Sequence, residues 1–269
     1  MHVAYWTVGD GPVDLVFVPE WITFIEALWS VPSYARLWER LGSIGRLILT
    51  DARGSGSSDP APLADRATFH HAVDDLVAVL DAVGSPRAFL IGHTYASAMM
   101  ACLFAALHPD RTAGLILAGG TASYLDRGDG FGLTIEARDA HLDYVANHWG
   151  DPEGVHLLRS MPGPGREEER RREARIERMA MSPTTARSHF EMIFDLDVRA
   201  GLPSITEPTL VVHRTGDRVV SVKAERYLAE HIEGHASSRF PATSLLVHRR
   251  RRHRLGRDHR IHHWYPPRS

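Results

Sequence analysis

The residues with the most chemical promise stand in one pentapeptide, Gly92-His93-Thr94-Tyr95-Ala96. The apolar run before it, residues 87–91, reads as a buried strand, and the small apolar residues after it, 96–104, read as a helix. A hydroxyl on a tight turn between strand and helix is the layout of G-x-S-x-G, the nucleophile elbow that lifts a reactive group above a sheet. Thr94 stands where serine is expected, and Ala96 where the second glycine is expected. The chemistry served by such a hydroxyl is acyl transfer. It requires a nucleophile, a histidine base, a carboxylate to orient that base, and an oxyanion hole. Threonine adds a methyl group at the most crowded point of the turn, and threonine nucleophiles elsewhere usually rely on an N-terminal amine as base. A structural threonine in an elbow that no longer catalyses is the competing reading. Ser97, one turn down the helix, is expected to pack rather than react.

Positioning this turn requires a sheet, and the chain supplies one by alternation. Residues 2–8 and 13–18 read as strands joined by the turn Gly9-Asp10-Gly11-Pro12. Helical periodicity follows over 34–41, a strand over 46–50, and an amphipathic helix with Val73, Leu76, Val77, Leu80 and Val83 on one face and Gly84 as its stop. Strands over 113–118 and 208–213 and a helix over 224–232 continue the pattern, which implies a mostly parallel sheet with helices on both faces. Residues 123–201 break the rhythm and include Arg166-Glu167-Glu168-Glu169-Arg170-Arg171-Arg172-Glu173, whose opposite charges three and four apart mark a solvated helix. The organisation expected is a core over 1–122, a helical cap over 123–201, a second core segment over 202–235, and a basic tail over 236–269.

Composition narrows the function classes. Of 269 residues 43% are apolar, enough for a sizeable core, yet no window has the uninterrupted apolar length of a membrane helix. Met1-His2-Val3-Ala4-Tyr5-Trp6 lacks the basic and apolar regions of a signal peptide, so a cytoplasmic protein is expected. The single cysteine, Cys102, excludes an internal disulfide and sits where a small buried hydrophobe fits. Asp51-Ala52-Arg53-Gly54-Ser55-Gly56 lacks the lysine of a phosphate-binding P-loop and the G-x-G-x-x-G order, so no nucleotide cofactor is expected. No histidine pair stands four residues apart on an expected helix with a carboxylate, so no metal is expected either.

Several segments together carry a family resemblance: Asp14-Leu15-Val16-Phe17-Val18-Pro19, Tyr34-Ala35-Arg36-Leu37, Asp51 through Pro60, the elbow, and Thr215-Gly216-Asp217. From about residue 2 to 233 the chain resembles the α/β-hydrolase family. More narrowly, it resembles the hydrolase-like N-terminal domains of some actinobacterial class III adenylate cyclases and their free-standing relatives. The resemblance implies an eight-stranded sheet, Thr94 at the nucleophile position and Asp217 as the orienting carboxylate. It also implies that the backbone N–H groups of Tyr95 and Trp21 form the oxyanion hole. An ordinary Asx turn is the alternative for Asp217. His93 is implied to pack beside the elbow and not to act as the base. Two departures stand out. Pro19-Glu20 replaces the usual His-Gly or Pro-Gly, which sets a carboxylate close to the oxyanion hole, and no histidine after 234 has a family-like setting. His259, three residues after Gly256, is the nearest match to the base.

Past Ala236 nine arginines stand against Asp258 alone, which leaves the preceding body net acidic in a chain of formal charge −2. An acidic body suggests no nucleic-acid role for the main domain, and a small-molecule substrate or ligand with no membrane partner is expected. The Arg- and His-rich tail has no periodicity, as a GC-rich gene read out of frame would give, so an out-of-frame or disordered tail is expected. A native basic tail for nucleic acid or an anionic membrane is the competing reading. A sheet missing its last strand would expose an edge, so self-association is expected. The functional expectation is a hydrolase of a small ester or related acyl compound, with activity weakened by Thr94 and by the unclear base. The alternative is a non-catalytic ligand-binding or regulatory module.

Overall fold

The structure, a computed structural model, describes residues 1–20, 23–60, 69–152, 167–214, 217, 220–233, 235–240 and 261–264, the last two segments by their backbone. Eight strands form one sheet: β1 (Val3–Val8), β2 (Asp14–Phe17), β3 (Arg46–Thr50), β4 (Ala88–His93), β5 (Thr112–Ala118), β6 (Thr209–Arg214), β7 (His235–Phe240) and β8 (Ile261–Trp264). Their spatial order is β7-β6-β5-β4-β2-β3-β1-β8. The six strands from β3 to β7 are parallel, and β1 pairs antiparallel with β3 and with β8. Parallel strands are covered on both faces, which is why β3 and β4 read as almost continuous apolar runs instead of alternating ones.

The helices are α1 (Ile25–Trp29), α2 (Pro32–Gly42), α3 (Phe69–Ala82), α4 (Tyr95–Leu107), α5 (Ile135–His148), α6 (Glu167–Ala180), α7 (Pro183–Asp195) and α8 (Val222–His231). One face of the sheet packs on α3 and α4 through Leu76, Leu80, Met99 and Phe104. The other packs on α1 and α2 around Trp38, a fully buried side chain stacked on Trp29. On α3 the buried stripe is Val73, Leu76, Val79 and Leu80. Val77 lies at the edge of that stripe and Val83 past the helix end, so both are only partly buried.

Between β5 and β6 the chain leaves the sheet for α5, α6 and α7. Ser182 caps α7 by accepting the Thr185 N–H, with Pro183 in the first turn. The charges of α6 pair along its own surface, Arg170 with Glu167 and Arg172 with Glu168, while Ala174, Ile176 and Ala180 face inward. This layer is tied to the core by the Gly56 N–H donating to Ala180 O (3.0 Å) and the Val198 N–H donating to Ala122 O (2.9 Å). Strand β7 crosses residue 235, where the second core segment was expected to end, and β8 lies in the expected tail. Among the described residues no helix is long and apolar enough to cross a membrane.

Candidate active site

Strand order fixes where chemistry can occur. The chain leaves β2 toward β3 on one side and returns through α3 to β4 on the other, so β2 and β4 are neighbours whose connections diverge. The carboxyl ends of such a pair open a crevice in parallel α/β sheets. Here those ends carry Pro19-Glu20 and the elbow, held together by the Val18 N–H donating to Ile91 O (3.0 Å).

At the elbow, Thr94 has φ +69° and ψ −168°, and among the described residues it is the only non-glycine with positive φ. That region is occupied almost solely by glycine, and a β-branched residue there stores about 1–3 kcal/mol of strain. The turn survives because its surroundings determine it. The Thr94 N–H donates to Ala118 O (2.9 Å), its carbonyl accepts the Ala98 N–H (3.1 Å), and α4 starts at once. Gly92 allows the tight approach, since a Cβ there would lie 2.6 Å from the Ala98 Cα. Ser97 is fully buried; it accepts the His93 N–H (3.0 Å) and donates to Val18 O (2.7 Å), clasping the ends of β2 and β4. Ser97 is thus structural, as its position one turn down the helix implied.

The Thr94 hydroxyl donates to a carboxylate: Oγ1 lies 2.5 Å from Glu20 Oε1, the length of a charge-assisted hydrogen bond. His93 Nδ1 is 3.5 Å from the same oxygen, and its ring lies beside Phe17. Tyr95 opens α4, which puts its N–H at the positive end of the helix. Its ring stacks on Tyr124 at 4.4 Å. Burial, with the Asp217 charge adding to it, pushes the Tyr95 phenol up to about 12. Glu20 also borders a cavity shared with Pro19, Asp51, Arg53, Leu76 and Met100.

Asp51 anchors the Gly-rich loop. Its carboxylate accepts the N–H groups of Ile25 (2.8 Å) and Ser57 (2.9 Å), while burial pushes it up to about 7 against those bonds. A side chain at Gly56 would collide with it, a Cβ falling 2.3 Å from Asp51 Oδ2.

Asp217 follows β6, and its charge reaches both Tyr95 and Glu225, so it stands on the elbow's side of the sheet. Its Oδ1 accepts the Val220 N–H (3.1 Å) and its Oδ2 is 3.2 Å from Arg214. The bond to Val220 spans three residues, one more than the Asx turn expected as the alternative, and the carboxylate is largely buried. Trp21 and His259, expected as second oxyanion donor and base, lie outside the described residues. Two groups escaped the sequence reading. Glu225 of α8 is buried, pushed up to about 8 by that burial, and its Oε2 lies 2.5 Å from Nδ1 of buried His213. The available signal was a carboxylate between Ala224 and Leu228 on the apolar face of α8.

Comparison with known proteins agrees with this fold. Residues 39–244 match the family model described as alpha/beta hydrolase fold. A 119-residue segment is 40% identical to epoxide hydrolase 2 of Siraitia grosvenorii, over 43% of this chain and 34% of that protein. The chain thus spans about a third of that relative's length. A probable esterase of Oryza sativa subsp. japonica, D14L, is 26% identical over 84% of this chain and 82% of its own. Among solved structures, a hydrolase from Oleispira antarctica superposes with a TM-score of 0.74 at 18% identity, covering 88% of this chain and 85% of its own, which speaks for the fold alone. The chain belongs to the α/β-hydrolase fold family.

Proposed function

We propose that this protein hydrolyses a small carboxylic ester or related acyl compound through Thr94, with modest turnover. The observation that carries the reading is the backbone of Thr94, a β-branched residue kept at φ +69° so that its hydroxyl stands over the crevice between β2 and β4. Strain of that kind persists where presenting a side chain outweighs its cost. The Tyr95 N–H is the proposed oxyanion donor, joined by that of Trp21. Asp217 is the proposed orienting carboxylate and His259 the family-like candidate for the base. Residues 123–201 would cover the crevice as a cap, which limits the substrate to small acyl groups. The esterase named among the relatives is in keeping with this class.

A second reading, a non-catalytic ligand-binding or regulatory module of the cyclase-associated kind, is favoured by the carboxylate that Glu20 sets against the Thr94 hydroxyl. Hydrolysis of short-chain aryl esters by the wild type, Thr94→Ala and Thr94→Ser separates the two. The hydrolase reading predicts turnover in the wild type, its loss in Thr94→Ala and a rise in Thr94→Ser. Saturable ester binding without turnover in all three would select the module.

A further inference from the structure

We infer that Glu20 is the proton acceptor of Thr94, a catalytic carboxylate delivered from the end of β2. This rests on the hydrolase reading and gives the base's part, proposed above for His259, to a residue that the triad pattern does not contain. Three observations converge on it. The Thr94 hydroxyl is already hydrogen-bonded to Glu20 Oε1 at 2.5 Å, the separation a proton transfer requires. The two residues come from neighbouring strand ends at the point where the sheet connections diverge, so the fold brings their backbones together. His93 Nδ1 lies 3.5 Å from the same Oε1, so that oxygen has a second polar neighbour beside the elbow.

The charges balance in a way that removes the objection to a carboxylate near the oxyanion. As Thr94 Oγ forms its bond to the ester carbonyl carbon, the carbonyl π pair moves onto oxygen and the hydroxyl proton passes to Glu20. Glu20 is then neutral while the oxyanion exists, so the site carries one negative charge throughout. Collapse re-forms the carbonyl and breaks the bond to the alcohol oxygen, which takes the proton from Glu20. Water then attacks the acyl-threonine and yields a proton to Glu20. The acid leaves as the proton returns to Thr94 Oγ. Ester and water give acid and alcohol, with no other reactant. A carboxylate is a weaker base than imidazole toward an alcohol, which fits modest turnover. Around Glu20 stand His93, Tyr124, Asp51 and Arg53; burial together with the charges of Tyr95 and Glu20 holds the Tyr124 phenol well above its ordinary value.

The experiment is steady-state hydrolysis of p-nitrophenyl acetate by the wild type, Glu20→Gln, Glu20→Asp and Thr94→Ala, with melting curves for each. Glutamine keeps an oxygen able to accept the Thr94 hydroxyl but is not basic. The inference predicts a kcat loss of about a hundredfold or more in Glu20→Gln with KM unchanged. It predicts partial activity in Glu20→Asp. Unchanged or faster turnover in Glu20→Gln overturns it, and the hydrolase reading would survive. Should Glu20→Gln fail to fold, Glu20→Asp decides: a kcat equal to that of the wild type overturns the inference. A wild type without turnover overturns the hydrolase reading and this inference together.

Discussion

His213 Nδ1 at the end of β6 lies 2.5 Å from Glu225 Oε2 on α8, and both side chains are buried. Burial is the largest effect on Glu225 and raises it to about 8; the backbone N–H groups of Gly119 and Gly120 pull it part of the way back, and the nearby Asp217 charge opposes them. The folded state therefore binds this proton more tightly than the unfolded chain. Its contribution to stability is full below about pH 4.5 and is lost as pH rises through about 8. The melting temperature is expected to fall between about pH 6 and pH 9, and Glu225→Gln is expected to shrink that fall by about 3 °C or more. Thermal melts of both proteins across that range check it. Asp51, also raised by burial, contributes a residual slope of the same sign that the variant keeps.

Two glycines are needed for different reasons, and their alanine variants separate them. Gly92→Ala puts a Cβ 2.6 Å from the Ala98 Cα, backbone that cannot move without shifting α4 off β4. A loss of about 3 kcal/mol is expected. Gly84 ends α3 at φ +64° with nothing within 4 Å of a Cβ, so Gly84→Ala meets only the backbone preference and is expected to cost about 1 kcal/mol. Urea denaturation of the two variants measures the difference.

The strain at Thr94 is open to a direct test because two variants lose the same hydrogen bond. Thr94→Gly and Thr94→Ala both remove the hydroxyl from Glu20, but only glycine is at ease at φ +69°. Thr94→Gly is expected to be the more stable by about 1 kcal/mol, the reverse of the order at an ordinary position. Equal stability, or alanine the more stable, would mean that the elbow relaxes to a negative φ.

Cys102 lies fully buried on α4, and burial pushes its thiol up to about 12. It is expected to resist iodoacetamide at neutral pH in the native protein and to react once denaturant unfolds the chain. Mass measurement before and after denaturation reports it.

Local pattern carried most of the fold into view. The apolar runs of β3 and β4, the spacing of α3 and the strand–turn–helix at Thr94 are each set by residues near in sequence. What pattern could not show is pairing at a distance. Glu20 looked like an obstacle to an oxyanion because its partner, Thr94, lies 74 residues away. Glu225 met His213 only once α8 lay on β6. The Arg- and His-rich tail has no period of its own, and its strands β7 and β8 are defined by their neighbours β6 and β1. Val77 and Val83 do pack against the core, at its edge, while Val79, which the face reading left out, is buried.

The central claim is that the Thr94 hydroxyl forms the acyl intermediate, and mass mapping of acid-quenched protein after brief mixing with p-nitrophenyl acetate tests it most directly. The account predicts one acetyl group on the peptide bearing Thr94, localised to that residue and absent from Thr94→Ala. Turnover with no acetyl on Thr94, or with the label on Ser97 or another side chain, would contradict it.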